Sequence, residues 1–230
     1  MFSLSPLEIE AISLSLQVAA WAVGVSLPLG VGVAWLLVRR RFPVRLLLDG
    51  IVHLPLILPP VVIGYLLLVT FGRQGAVGAW LYDSFGVSVA FTWKGAAIAA
   101  GVMAFPLMVR AIRLGLEAVD PKLEQAARTL GARPVAVFLT VTLPLMAPGI
   151  LSGAILAFAR CLGEFGATIT FVSNIPGATR TLPLALYTAV QVPGGEAQAA
   201  RLVVVAVVLA LAALLASELL SRRFAANRGA

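Results

Sequence analysis

Long apolar stretches alternate along this chain with short polar joints. Residues 11–38 carry no charge, and residues 50–71 are apolar apart from His53 and the prolines of LPLILPP. Residues 95–116 stay uncharged as far as Val109, beyond which Arg110 and Arg113 can reach headgroups with their long side chains. Residues 135–159 and 200–220 complete the series. Each stretch reaches the roughly 20 residues that a helix needs to cross the hydrocarbon core. None has the alternation of a barrel strand, and in lipid only helices and closed barrels satisfy their own amides. The pattern predicts an all-α polytopic membrane protein, one transmembrane domain over residues 1–230 with about five transmembrane helices. Pro28 is placed to kink the first span.

Residues 160–196 break this rhythm, with short apolar pieces cut by Gly, Pro and charges. The fourth span should break near Gly163 or Gly166, and residues 182–191 should form a short re-entrant or interfacial helix. Irregular backbone at membrane depth is tolerated only where protein or water covers it.

Composition agrees with a bilayer, since hydrophobic residues are 60% of the 230 against about 45–50% in soluble domains. The net charge of +7 could suggest nucleic acid, but the basic residues are scattered between apolar segments and form no stripe. They serve as topology signals instead. With the N-terminus outside, Arg39, Arg40, Arg41, Arg45, Arg110, Arg113, Lys122, Arg128, Arg133, Arg222, Arg223 and Arg228 fall inside, leaving Arg73, Lys94, Arg160, Arg180 and Arg201 outside. That bias predicts five crossings, N-terminus outside and C-terminus cytoplasmic; a crossing by 182–191 would put SRRF outside. MFSLSPLEIE has no basic n-region, so the first apolar segment should be retained.

This orientation places the 117–134 loop in the cytoplasm. Asp120 suits an N-cap, Pro121 the first helical position, and Gly131 with Pro134 a stop. A helix of about ten residues, near 15 Å long, follows. Leu123, Ala126, Ala127 and Leu130 fall on one face made flat by the alanines, leaving Lys122, Gln125, Arg128 and Thr129 for water or a partner. The loop is either a docking helix or a plain connector.

Resemblance decides between these. Ala126-Ala127, three residues, Gly131, nine residues, Val141, one residue, then Leu143-Pro144 resembles the EAA loop of ABC importer permeases. The family's Glu position holds Gln125, with Glu124 one residue earlier. The resemblance assigns coupling to a partner ATPase to Leu123, Glu124, Gln125, Ala126, Ala127, Leu130 and Gly131. GIVHLPLILPPVVIGYLLL and LGEFGATITFVSNIPGATRTLPLALYT resemble the molybdate branch of that family. The similarity implies a place in the bacterial cytoplasmic (inner) membrane, two copies of an ATP-binding cassette subunit, a periplasmic oxyanion-binding protein and a permease homodimer within membrane lipid. ATP and Mg would bind to the partner ATPase: of the two lysines, Lys94 in TWKGA and Lys122 in DPKLE, neither has the Gly-Lys-Ser or Gly-Lys-Thr setting of a phosphate loop.

No catalytic role is assigned to any residue. One His, one Cys and ten dispersed acids make no constellation for a polytopic membrane enzyme and no metal site. His53 and Cys161 are taken as packed side chains. A passive channel would leave the docking helix unexplained, and sulfate, thiosulfate or tungstate permeases are the nearest alternatives. Glu164 at membrane depth should be structural, paired with Arg160 or bonded to freed amides beside Gly163 and Gly166. Thr168, Thr170, Ser173 and Asn174 offer neutral donors for a translocation path, with helix-to-helix hydrogen bonding as their other use. Gly149 and Gly153 form GxxxG, a close helix contact for which the dimer interface is one possible place.

Overall fold

The computed structural model describes residues 3–40 and 43–226, and every regular element among them is helical. The first helix, α1, runs over Pro6–Arg39 and opens on a capping box: Ser5 accepts from the Glu8 amide and Glu8 reaches back to the Ser5 amide. It passes through Pro28 without a break in assignment. A short joint leads to α2, Arg45–Ile57, and α3, Pro60–Phe71; then come α4, Ala76–Phe85, and α5, Trp93–Glu117. The short polar helix α6 covers Pro121–Thr129. The next span begins as α7, Pro134–Val137, passes through a π-helical turn, Phe138–Thr142, and continues as α8, Leu143–Leu162. Two short helices, α9 (Gly166–Val172) and α10 (Leu182–Gln191), precede the last, α11 (Glu196–Ala226).

Four of these are long and apolar enough to cross a membrane: α1, α5, the composite Pro134–Leu162, and Glu196–Ala216 within α11. The α5 helix forms the middle, with 67% of its most apolar window buried, against 17–22% for the other three. Small residues allow this. A Cβ on Gly115 would stand 2.7 Å from the Gly149 Cα, and one on Gly153 would meet the Met108 carbonyl at 3.0 Å. The GxxxG pair therefore packs against α5 of the same chain, which removes the dimer interface as its explanation.

Contacts fix the directions of the spans. Gly30 of α1 faces Met108 and Ile112, while Gly101 faces Ser26 and Ala22, so α1 and α5 run parallel. Gly149 lies against Gly115, and the Cys161 thiol donates to the Ala100 carbonyl at 3.5 Å, so α8 runs antiparallel to both. Glu8 at the start of α1 accepts from Arg201 Nε at 2.9 Å, which places the start of α11 beside that of α1. These directions require one return between α1 and α5, in agreement with five crossings.

That return is not the continuous second span expected over 50–71. The α2 and α3 axes are bent by 115° at a break between Ile57 and Pro60. Leu58 and Pro59 are extended, with ψ 143° and 136°. A residue before proline is pushed out of the α region, and Pro59 and Pro60 in succession do this twice while removing two amide donors. At 13 and 12 residues, neither piece alone matches the roughly 30 Å core. The bend lets α3 pack on α9, where Gly64 comes so close that a Cβ would stand 2.6 Å from the Ala167 carbonyl. Helices α4 and α9 were also not expected from the pattern.

The 160–196 region follows the expectation more closely. Helix α8 ends at Leu162, and α10 occupies residues 182–191. Ser15 ties α10 to α1 by accepting from the Leu182 amide at 2.6 Å. Ala11, Leu182, Ala185, Ala189 and Leu202 close a small second core there.

The candidate coupling site and the intramembrane polar residues

Local chemistry builds α6 as a separate short helix. Asp120 caps it by accepting from the Lys122 amide at 2.9 Å. Gly131, at φ 87°, ends it. The Ala132 amide donates to Ala127 O at 3.1 Å and the Gly131 amide to Arg128 O at 3.0 Å, a Schellman closure that needs the left-handed residue. The glycine of the spacing pattern is thus the residue that stops the helix.

One acid fastens α6 to the membrane spans. Glu124 is only 9% exposed. Its Oε1 accepts from Arg39 Nη2 at 3.0 Å and from Thr142 Oγ1 at 2.9 Å. The same Arg39 nitrogen lies 3.5 Å from Leu116 O and 3.4 Å from Val119 O, at the end of α5. One carboxylate therefore joins α6 to α1 and to the π turn before α8, while its arginine partner also holds the end of α5. Pro144 accounts for the π turn: it has no amide to donate, and the Leu143 amide reaches back five residues to Phe138 O instead. The extra residue in that turn shifts the register of the span and leaves Thr142 buried beside Glu124.

The opposite side of α6 is open. Leu130 is 89% exposed, Leu123, Gln125 and Ala126 are exposed, and Ala127 is half-buried. Six of the seven residues expected to couple thus present a surface or shape the helix end, whereas Glu124 turns inward and is spent on the chain's own body. The shift of the acid from position 125 to 124 has this geometric consequence.

Arg160 and Glu164 meet at 2.7 Å, and the second Glu164 oxygen accepts from the Ala167 amide at 2.9 Å. Glu164 is 3% exposed, so its carboxylate bridges the end of α8 to the first turn of α9. The four path residues do not converge. Thr168 is buried in the packed interior, Thr170 Oγ1 donates to Gly166 O of its own helix at 2.9 Å, and Ser173 is exposed at φ 64°. Asn174 is committed to Thr188 at 2.8 Å and to Arg180 Nε at 2.9 Å. Thr168 and Thr170 belong to α9, whereas Ser173 and Asn174 lie in the segment that follows it, so the four face different surroundings. A charged cleft missed from the sequence lies between the first part of α2 and the end of α5, where Arg113 bridges Asp49 at 3.3 Å and Glu117 at 2.9 Å, and His53 Nδ1 stands 3.3 Å from Asp49. Its signal was the four-residue spacing of Asp49–His53 and Arg113–Glu117.

A bundle of long apolar helices with a bent pair, and a short polar helix clamped at one end, is the architecture of a multi-pass membrane subunit. The chain belongs to the family of binding-protein-dependent transport system inner membrane components, which it matches over residues 26–226. It is 64% identical over 215 residues to the molybdenum transport system permease protein ModB of Escherichia coli, covering 94% of each chain. The ModB protein of Haemophilus influenzae is 59% identical, with 97% of each chain covered. The sulfate transport system permease protein CysT of Escherichia coli is 40% identical over 162 residues, 70% of this chain and 58% of that one. Among solved structures, a bacterial alginate ABC transporter in complex with an alginate-bound periplasmic protein shares the fold at TM-score 0.74 and 19% identity, covering 96% of this chain and 80% of that one. An amino acid ABC transporter agrees at 0.63 and 21%, covering 95% and 94%.

Proposed function

We propose that this chain is the membrane-spanning permease of an ATP-driven molybdate importer. The observation that carries this reading is the higher identity to the two molybdenum permeases than to the sulfate permease, with nearly full coverage in the first case only. The clamp on α6 supports the manner of coupling. In this account two copies of an ATP-binding cassette subunit carry ATP and Mg, and each seats the exposed face of one α6 from a permease homodimer. A periplasmic binding protein delivers the oxyanion to the outer side, where the N-terminus lies. Closure of the ATPase pair displaces α6, and the Glu124–Arg39–Thr142 cluster passes that displacement to α1, α5 and α8 together. The path between the protomers thereby alternates its opening, and this chain makes or breaks no bond. Ser173, with its exposed hydroxyl, and Asn174 remain candidates for contact with the passing anion.

The test is the molybdenum content of cells lacking the gene, measured by elemental mass spectrometry at limiting molybdate. Content should fall and recover with the gene or with excess molybdate. Unchanged molybdenum together with impaired sulfate accumulation would replace this reading by the sulfate one.

A further inference from the structure

A groove of about 770 Å³ opens beside the clamp, between the end of α1, α6 and the start of the fourth span. Its walls combine two chemistries. Arg39, Arg40 and Arg128 supply three guanidiniums, and Trp35, Val135 and Phe138 supply an apolar floor. Among the described residues the one carboxylate in the lining is Glu124, and it already accepts from Arg39. Among the described residues Arg40 and Arg128 therefore have no acid partner, and the Arg39 Nε is buried without a hydrogen-bond partner. The Arg40 guanidinium lies over the Trp35 ring at 5.3 Å, so cation and indole are stacked as one unit.

We infer that this groove binds the headgroup of an anionic phospholipid from the cytoplasmic leaflet, with its acyl chain against the apolar floor. Depth supports the choice. The arginines end a span, Trp35 lies one turn deeper, and tryptophan favours the headgroup boundary. Basic pockets between spans on the cytoplasmic side suit anionic headgroups, and a bilayer supplies such lipid at high local concentration. Two uncompensated guanidiniums match one phosphodiester better than they match a neutral headgroup. A lipid held there touches both α6 and α1, and so stiffens the joint between the coupling helix and the first span. The inference requires only that the Arg39 end of α1 lie at the cytoplasmic headgroups, and it is independent of the transported anion.

The test uses the permease purified with its ATPase subunit in nanodiscs of phosphatidylcholine with or without phosphatidylglycerol, then counts retained lipids by native mass spectrometry. The wild-type chain should retain phosphatidylglycerol selectively. Arg40→Gln and Arg128→Gln should each weaken retention about fivefold, with the double variant near 25-fold. Arg40→Lys should keep most of it, and Lys94→Gln, at the other end of α5, should change nothing. Equal retention by the double variant would overturn the site. So would loss of the ATPase subunit at unchanged lipid retention, which would give the arginines to the protein interface. Arginine-dependent binding of inorganic phosphate by the delipidated complex, without lipid selectivity, would replace the lipid by a soluble oxyanion.

Discussion

Replacing Glu124 with alanine removes both acceptor contacts of the clamp and leaves Arg39 facing two carbonyls without a counter-charge. The loss can be bounded. Removing one partner of a fully buried pair costs about 3–5 kcal/mol. Here the side chains of Arg39 and Glu124 retain 18% and 11% exposure, so some water reaches the orphaned charge, and about 2–3 kcal/mol is the expected loss. Amide exchange of α6 reads that quantity directly, because opening of the helix limits it. With tenfold for every 1.4 kcal/mol, residues 121–130 should exchange roughly 30- to 150-fold faster in Glu124→Ala than in the native chain. The interior of α5 should hardly change. A Glu124→Gln variant keeps acceptors for Thr142 and Arg39 but loses the charge, so it should fall between the two. Thr142→Val should lose about 1 kcal/mol, since Glu124 keeps its arginine. Unaltered exchange of α6 in Glu124→Ala would refute the clamp, whatever became of transport.

Other consequences follow from the packing and the exposed faces. Gly115→Val should destabilise the detergent-solubilised chain by at least about 1–3 kcal/mol, read as a lower thermal midpoint, because its Cβ would stand 2.7 Å from Gly149 on α8. Glu164→Ala should lower that midpoint more than Glu164→Gln, since glutamine still accepts from the Ala167 amide; equal midpoints would mean that the amide bond contributes nothing. Leu130→Asp should weaken ATPase association at least about tenfold in a pull-down while leaving α6 folded, because that side chain touches little of its own chain. Replacing both Pro59 and Pro60 with alanine should open the α2–α3 angle, measured between spin labels on the two helices, and unchanged distances would assign the bend to tertiary packing instead of proline.

Much of the bundle could be read from the sequence because lipid leaves few choices. Length and hydropathy mark α1, α5, α8 and α11. The α6 helix was equally legible, since its cap and stop are local chemistry at Asp120, Pro121 and Gly131. The bent pair was not, because hydropathy sums over prolines that backbone geometry does not ignore. The inward clamp made by Glu124 was hidden for a different reason: its partners lie 85 and 18 residues away, and a π turn set by Pro144 decides that Thr142 meets it. The surroundings of Thr168, Thr170, Ser173 and Asn174 were not legible either, because composition near a break says which donors are present, while the direction each one faces depends on how the neighbouring helices pack.

The central claim is that ATP hydrolysis outside this chain drives an oxyanion across it through α6. Uptake of radiolabelled molybdate into proteoliposomes holding the permease, its ATPase and the loaded binding protein tests this most directly. The account predicts ATP-dependent accumulation that excess sulfate suppresses poorly and that Leu130→Asp abolishes. Accumulation without ATP, or at full rate in the Leu130→Asp variant, would contradict it.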